Sequence, residues 1–237
     1  MPVGQDASGF PQTGDNRTRE SASIEIAEHH GGSSQADVTE RAGKCWDAAV
    51  RQMNAFLWKF NLVTEDITLS SPVAADATAG IVANSEYNLS ANFKFPFRAI
   101  LVDSSSKPRD SVQFVNYGEW LAHTPDQSST TSSPTRYTAR NIHQVGRIIV
   151  SPPLSTSSLT WPTLRLVYFR PIDLAEGATS KLAVPVEVDE AIFQLAVANF
   201  ESKVKGPQFA QAQLVRAHAT IAVVQATWRD YADIEGY

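Results

Sequence analysis

Residues 37–60 read DVTERAGKCWDAAVRQMNAFLWKF. Val38, Ala42, Cys45, Trp46, Ala49, Val50, Met53, Phe56, Leu57 and Phe60 recur there at three- and four-residue steps, the spacing that lines one face of an α-helix. Asp37 and Glu40 have the D-x-x-E form of a capping box, so the helix is predicted to start at Asp37. Cys45 falls on the apolar stripe, where it reads as a small buried hydrophobe rather than a reactive thiol.

Downstream of Asn61 the period changes to two, and Gly, Pro, Asn and Ser clusters separate short runs rich in β-formers. Strands are predicted at 66–70, 86–91, 95–103, 111–116, 135–139, 147–151 and 164–170. Residues 71–85 and 124–134 read as long exposed loops, a length that compact domains seldom carry without a role. Helical spacing returns after Pro185, where Glu187, Asp189 and Glu190 complement a helix N-terminus. Val188, Ile192, Leu195, Ala196 and Phe200 form its stripe, and Gly206-Pro207 breaks it. A last, Ala-rich helix is expected from Phe209 to about Tyr231, with Leu214, Val215, Ala219, Ala222, Val223 and Ala226 as its stripe.

Upstream, Pro2, Gly4, Gly9, Pro11 and Gly14 sit among polar residues, a composition that reads as an arm, with a possible short helix ending at Gly31-Gly32. Helix, then strands, then helices implies an α+β fold rather than alternating βαβ units. The expected organisation is an arm over 1–36, a small helical bundle from 37–61 with 185–231, an inserted antiparallel β domain over 62–184, and a tail over 232–237.

The net charge of −5 over 237 residues argues against a global basic field for nucleic acid. No apolar run is long enough to cross a bilayer, and the first thirty residues hold no signal core, so neither membrane nor cleaved leader is expected. One cysteine excludes an intrachain disulfide and a multi-thiolate metal site.

The five histidines, His29, His30, His123, His143 and His218, show no metal-ligand spacing. A nucleophile elbow, a Walker loop and a dinucleotide fingerprint are all missing. No catalytic residue, metal or cofactor is therefore expected. Arg136, Arg140, Arg147, Arg165 and Arg170 lie beside Tyr137, Trp161, Tyr168 and Phe169, a mixture that suits either a single-stranded nucleic acid or a protein interface. The acidic total favours the protein.

Several phrases, in order, resemble the head-to-tail adaptor, or tail-tubular, proteins of tailed bacteriophages. They are Trp46-Asp47-Ala48-Ala49-Val50 with Phe56-Leu57-Trp58-Lys59-Phe60, then Glu86-Tyr87-Asn88-Leu89 with the segment from Phe95-Pro96-Phe97 to Asp103. Pro134-Thr135-Arg136-Tyr137-Thr138, Ile148 to Pro153, Leu164 to Pro171 and Leu182-Ala183-Val184-Pro185 follow. The resemblance spans Val38 to Trp228. It implies a structural virion protein in the neck between capsid and tail, assembled in the host cytoplasm. Its copies would form a dodecameric ring joining the portal ring to the next tail component, with double-stranded DNA passing through unread.

In that family the C-terminal segment commonly reaches the portal, which makes Trp228, Tyr231, Ile234 and Tyr237 the portal-binding candidates. Arg136, Tyr137, Trp161 and Arg165 are the candidates for neighbouring subunits or the tail. Alternatives are a stopper or tail-terminating ring protein, or a β-rich carbohydrate- or protein-binding module stacking its ligand on Trp120, Trp161 and Tyr168.

Overall fold

A computed structural model describes residues 16–30, 35–74, 84–90, 92–122, 130–142, 145–174 and 179–228. The fold is α+β, and the described chain divides into two compact units. Residues up to Asn61 join those from Ile172 onward in a helical unit, while Leu62–Pro171 form a sheet unit.

The helical unit has four long helices where three were expected. The added one, α1 (Arg19–Glu28), lies in the stretch read as an arm. Thr18 and Ser21 cap it reciprocally, each side chain accepting the other's backbone N–H, which contributes about 1 kcal/mol. Ala22, Ile26 and Ala27 on its inner face are fully buried. The possible short helix of that stretch is therefore present, ending at Glu28 before Gly31-Gly32, although ten residues with so few large apolar groups give only a weak period.

Helix α2 (Ala36–Met53) buries Ala42, Cys45, Trp46, Ala49, Val50 and Met53, as its spacing requires. Asp37 is not its cap: the helix starts earlier, after Gln35, which makes no side-chain capping bond, and Asp37 lies in the first turn facing the dipole. The helix also stops short of Phe56, Leu57 and Phe60. Beyond Met53 the chain turns, and the fully buried Trp58 donates its indole N–H to the Met53 carbonyl at 2.8 Å. That bond satisfies one of the acceptors a helix end leaves open.

After the sheet unit, residues 172–184 were assigned by sequence to the β domain. Ile172, Leu182 and Val184 instead belong to the helical core. The Asn54 carboxamide pairs reciprocally with Ile172, receiving its N–H at 2.7 Å and donating to its C=O at 3.0 Å.

The next element of this unit is α4 (Val186–Lys205), α3 being a short helix of the sheet unit described below. It follows Pro185 and buries Val188, Ala191, Ile192, Phe193, Leu195, Ala196, Val197, Ala198 and Phe200. A helix apolar on most of its circumference is central. It ends at Gly206, whose φ of 97° suits glycine alone, and Pro207 opens α5 (Pro207–Trp228).

Packing runs α1 on α2, α2 on α4 and α4 on α5. The stripe predicted for α5 is displaced. Ala210, Ala217, Ile221 and Val224 are buried and Leu214 packs against them, whereas Val215, Ala219, Ala222, Val223 and Ala226 are exposed. The helix is apolar on two sides, so its sequence holds two series at helical spacing, and only packing chooses between them.

The sheet unit contains β1 (Leu62–Thr68), β2 (Glu86–Asn88), β3 (Phe95–Val102), β4 (Pro108–Ser111), β5 (Gln113–Phe114), α3 (Tyr117–Ala122), β6 (Arg136–Ile142), β7 (Val145–Ser151) and β8 (Thr163–Phe169). Two four-stranded sheets, ordered β1-β8-β3-β4 and β2-β7-β6-β5, share one core of Ile67, Leu101, Ile148, Val150, Leu164 and Tyr168 among others. This is the pattern of a sandwich. The expectation of an antiparallel region needs one correction, because β5 pairs with β6 in parallel.

The strand predicted over 111–116 is two short strands separated at Val112, whose N–H bonds the Ala99 carbonyl. Helix α3 was not foreseen; six residues are too few to show a period, although Asn116 caps it through the Gly118 N–H. Of the two long loops, residues 75–83 and 124–129 lie outside the described chain.

Candidate interaction surfaces

Strand β6 alternates Arg136, Tyr137, Thr138, Ala139 and Arg140. Successive side chains of a strand leave opposite faces, so Arg136 and Tyr137 cannot share a surface. Arg136 is exposed, whereas Tyr137 is buried in the sandwich core, its ring 5.3 Å from Phe114 in an edge-on contact. Tyr137 is thereby removed from the interface candidates.

Trp161 precedes β8 and is half-buried against the core. Its indole N–H donates to Asp110 at 3.2 Å, and the Arg109 guanidinium lies 5.3 Å from its ring centre. Arg109 also grips Asp103, whose carboxyl is held below the usual range by the backbone N–H of Lys107 and by that guanidinium. Arg165, on β8, meets Asp66 of β1 through two parallel bonds of 2.7 Å, a fork geometry that lowers the carboxyl's pKa. Trp161 and Arg165 therefore have separate partners, and no contact given for the described residues gathers them with Arg136 into one site.

Arg140 and Arg147, read from sequence as surface grips, are committed to a buried carboxylate. They face each other across β6 and β7, where like charges repel. Glu86, whose side chain is 2% exposed, accepts from Arg140 at 2.6 Å and lies 3.5 Å from Arg147. Burial opposes the Arg140 charge, but its bonds to Glu86 and the Tyr117 hydroxyl outweigh that and raise its pKa. Nothing in the spacing of Glu86 announced this role.

Of the three rings considered for ligand stacking, Trp120 and Tyr168 are buried, which leaves Trp161 alone. The described sheet unit also has an open groove of about 280 Å³ bordered by Glu65, Asp66, Thr68, Pro72 and Tyr87. Its carboxylates are engaged, Glu65 by Ser90 and the Tyr168 hydroxyl, Asp66 by Arg165.

In the helical unit a buried ionic clamp joins sequence-distant segments. Asp189, in the first turn of α4, has a side chain 1% exposed. Arg17 donates to it at 2.9 Å, to Glu25 at 2.8 Å, and lies 4.1 Å from the Phe193 ring centre. Burial raises the Asp189 carboxyl's pKa, with Arg17 pulling the other way. The sequence marked Asp189 only as an exposed helix-dipole partner. Beside it, Asn16 donates to the Leu182 and Val184 carbonyls.

His30 sits 5.0 Å from Phe200, with its imidazolium form disfavoured by burial and by Lys205. His218 is exposed on α5; His123 and His143 lie outside the described residues. Among the described residues no group of three or more His, Cys, Asp or Glu side chains is arranged to hold a metal ion, and no helix is long and apolar enough to cross a membrane.

Trp228 is the last residue of α5, and Tyr231, Ile234 and Tyr237 lie outside the described residues. No family model matches this chain, and no curated protein matches its sequence.

Proposed function

We propose that this chain is a structural adaptor in a bacteriophage neck, forming a ring that joins the portal to the tail around the DNA channel. The observation that carries the reading is the helical unit built from both ends of the sequence, with the sheet unit inserted between them. A joint between two dissimilar rings needs one chain offering two kinds of surface, and a helical unit with an inserted sandwich supplies them. The ordered resemblance from Val38 to Trp228 supports the same assignment, and helices following the β region favour an adaptor over a stopper or tail terminator.

The work of such a protein is geometric. A portal of fixed symmetry offers one set of docking surfaces, the tail another, and each subunit bridges them while its neighbours close the ring. No bond is made or broken. The net charge of −5 suits a channel past which DNA slides.

The end of α5 and the residues that follow it are the proposed portal anchor. Trp228, Tyr231, Ile234 and Tyr237 supply large rigid rings and an aliphatic side chain, the types that concentrate binding energy for little lost rotamer freedom. Deleting residues 230–237 should abolish binding to purified portal rings in a pull-down while leaving far-ultraviolet circular dichroism unchanged. Undiminished binding by the shortened chain would overturn the anchor.

A further inference from the structure

Helix α5 has two apolar faces, and the described chain covers one. Ala210, Leu214, Ala217, Ile221 and Val224 face the core. Ala212, Val215, Ala219, Ala222 and Ala226 follow the same alternation of three and four residues and are exposed. The second series runs alternately two and one residues behind the first, on average about 160° around the axis at 3.6 residues per turn, so it faces away from the core. Val215 and Val223 are 64% and 68% exposed. Among the 22 residues of α5, Arg216 is the sole Asp, Glu, Lys or Arg.

Elsewhere in the same unit a solvent-facing helix is built differently. The outer side of α2 carries Asp37, Glu40, Arg41, Lys44 and Arg51, the composition of a solvated face. An uncharged surface of Ala and Val repeating every three and four residues is instead the seam of a helix pair, in which small side chains let the axes approach closely.

The packing order indicates the occupant. Helices α1 and α5 stand at its two ends and are not packed on one another. The outer side of α1 presents Glu20, Ser21, Ile24 and Glu28, all exposed, with Ile24 flanked one turn away on each side by an acid. Among the described residues Glu20 and Glu28 form no ion pair. The α1 face is therefore acidic around an aliphatic centre, while the α5 face has no acid and carries Arg216.

Two α1 faces brought together would oppose four acids. The acidic α1 face and the acid-free α5 face complement each other instead. At 1.5 Å per residue α1 is about 15 Å long, enough to cover the stretch from Val215 to Val223.

We propose that the exposed face of α5 receives α1 of the next copy of this chain, so that subunits join head to tail through a helix pair. Such a heterologous contact closes into a ring when its rotation permits. That the neighbour is a second copy rests on the adaptor reading; that α5 is a docking face rests on its own two-sided pattern.

The test uses the full-length chain. With Ile24→Cys and Ala219→Cys together, mild oxidation should link subunits into a ladder beyond the dimer on a non-reducing gel, and neither single substitution should do so. A chain blocked at α5 by Ala219→Glu and Val223→Glu, mixed with one blocked at α1 by Ile24→Arg, should give a 1:1 dimer and nothing larger in sedimentation velocity. If both blocked chains keep their circular dichroism and still form wild-type rings on the portal, the α5–α1 seam is wrong and the adaptor reading stands. If the wild-type chain remains a monomer with and without portal rings and yields no ladder, the adaptor reading falls and the seam with it. A monomer that begins to associate only after deletion of residues 1–15 or 229–237 would show an intramolecular occupant and overturn the seam.

Discussion

The two units of this chain are held together in different ways. The sheet unit is one continuous stretch, and its strands register by alternation: Leu164, Leu166 and Tyr168 go inward from β8, and Arg165 pairs outward with Asp66. The helical unit is stitched from pieces separated by all of Leu62–Pro171. Its sequence-distant seams carry directional polar contacts, Asn54 with Ile172, Asn16 with Leu182 and Val184, and Arg17 with Asp189. Apolar burial alone fixes neither register nor partner. Hydrogen bonds at the seams select the correct docking of the two ends against the entropy of closing a long loop. Among the described residues the helical unit also leaves one apolar face of α5 uncovered, the face proposed above as the subunit seam.

The largest effect should come from cutting the clamp. Arg17→Ala leaves the buried Asp189 carboxylate without its guanidinium, which should cost about 3–5 kcal/mol in urea unfolding. A loss under about 1 kcal/mol would mean the N-terminal segment is not held by charge.

The matching cut in the sheet unit is Glu86→Gln, which leaves Arg140 and Arg147 facing each other without a neutralising carboxylate. It should cost about 2–3 kcal/mol. If this variant proves the more damaging of the two, the contrast between the units is inverted.

In the sheet unit Lys94 adds a pH dependence. Burial lowers its ammonium to about 8 from an ordinary 10.5. Between those values unfolded Lys94 holds a proton that folded Lys94 lacks, so its contribution to stability falls as pH drops from about 10.5 to about 8. Lys94→Met should flatten that slope in denaturant melts, and an unchanged slope would refute the assignment.

The smallest effect concerns Gly43. A Cβ there would lie 2.8 Å from the Arg19 guanidinium, which crosses α2 to reach Asp47 at 2.8 Å. Gly43→Ala removes that close approach while improving helix propensity. The two should cancel to within about 1 kcal/mol, with Asp47→Asn losing its effect in the Gly43→Ala background.

How much of this could be read beforehand depended on whether each segment had a polar side. Helix α2 was legible because charged residues occupy its outer face, so one apolar stripe stands out. In α5 both faces are apolar, and spacing alone selected Val215, Ala219 and Val223 where packing selects Ala217, Ile221 and Val224. Helix α1 was only faintly marked, because its small residues give a weak period.

For the interface candidates, the alternation of β6 already separated Arg136 from Tyr137, and applying it would have sent Tyr137 inward. The roles of Glu86 and Asp189 left no trace in spacing, because a buried carboxylate is recognised by the arginine that tertiary packing brings to it. The portal candidates beyond Trp228 rest on the resemblance alone.

Electron microscopy of the purified chain mixed with candidate portal rings tests the adaptor assignment most directly. Added density should appear as a closed ring coaxial with the portal, one subunit contacting the next through its helical unit. A dispersed monomer that leaves the portal bare would contradict it.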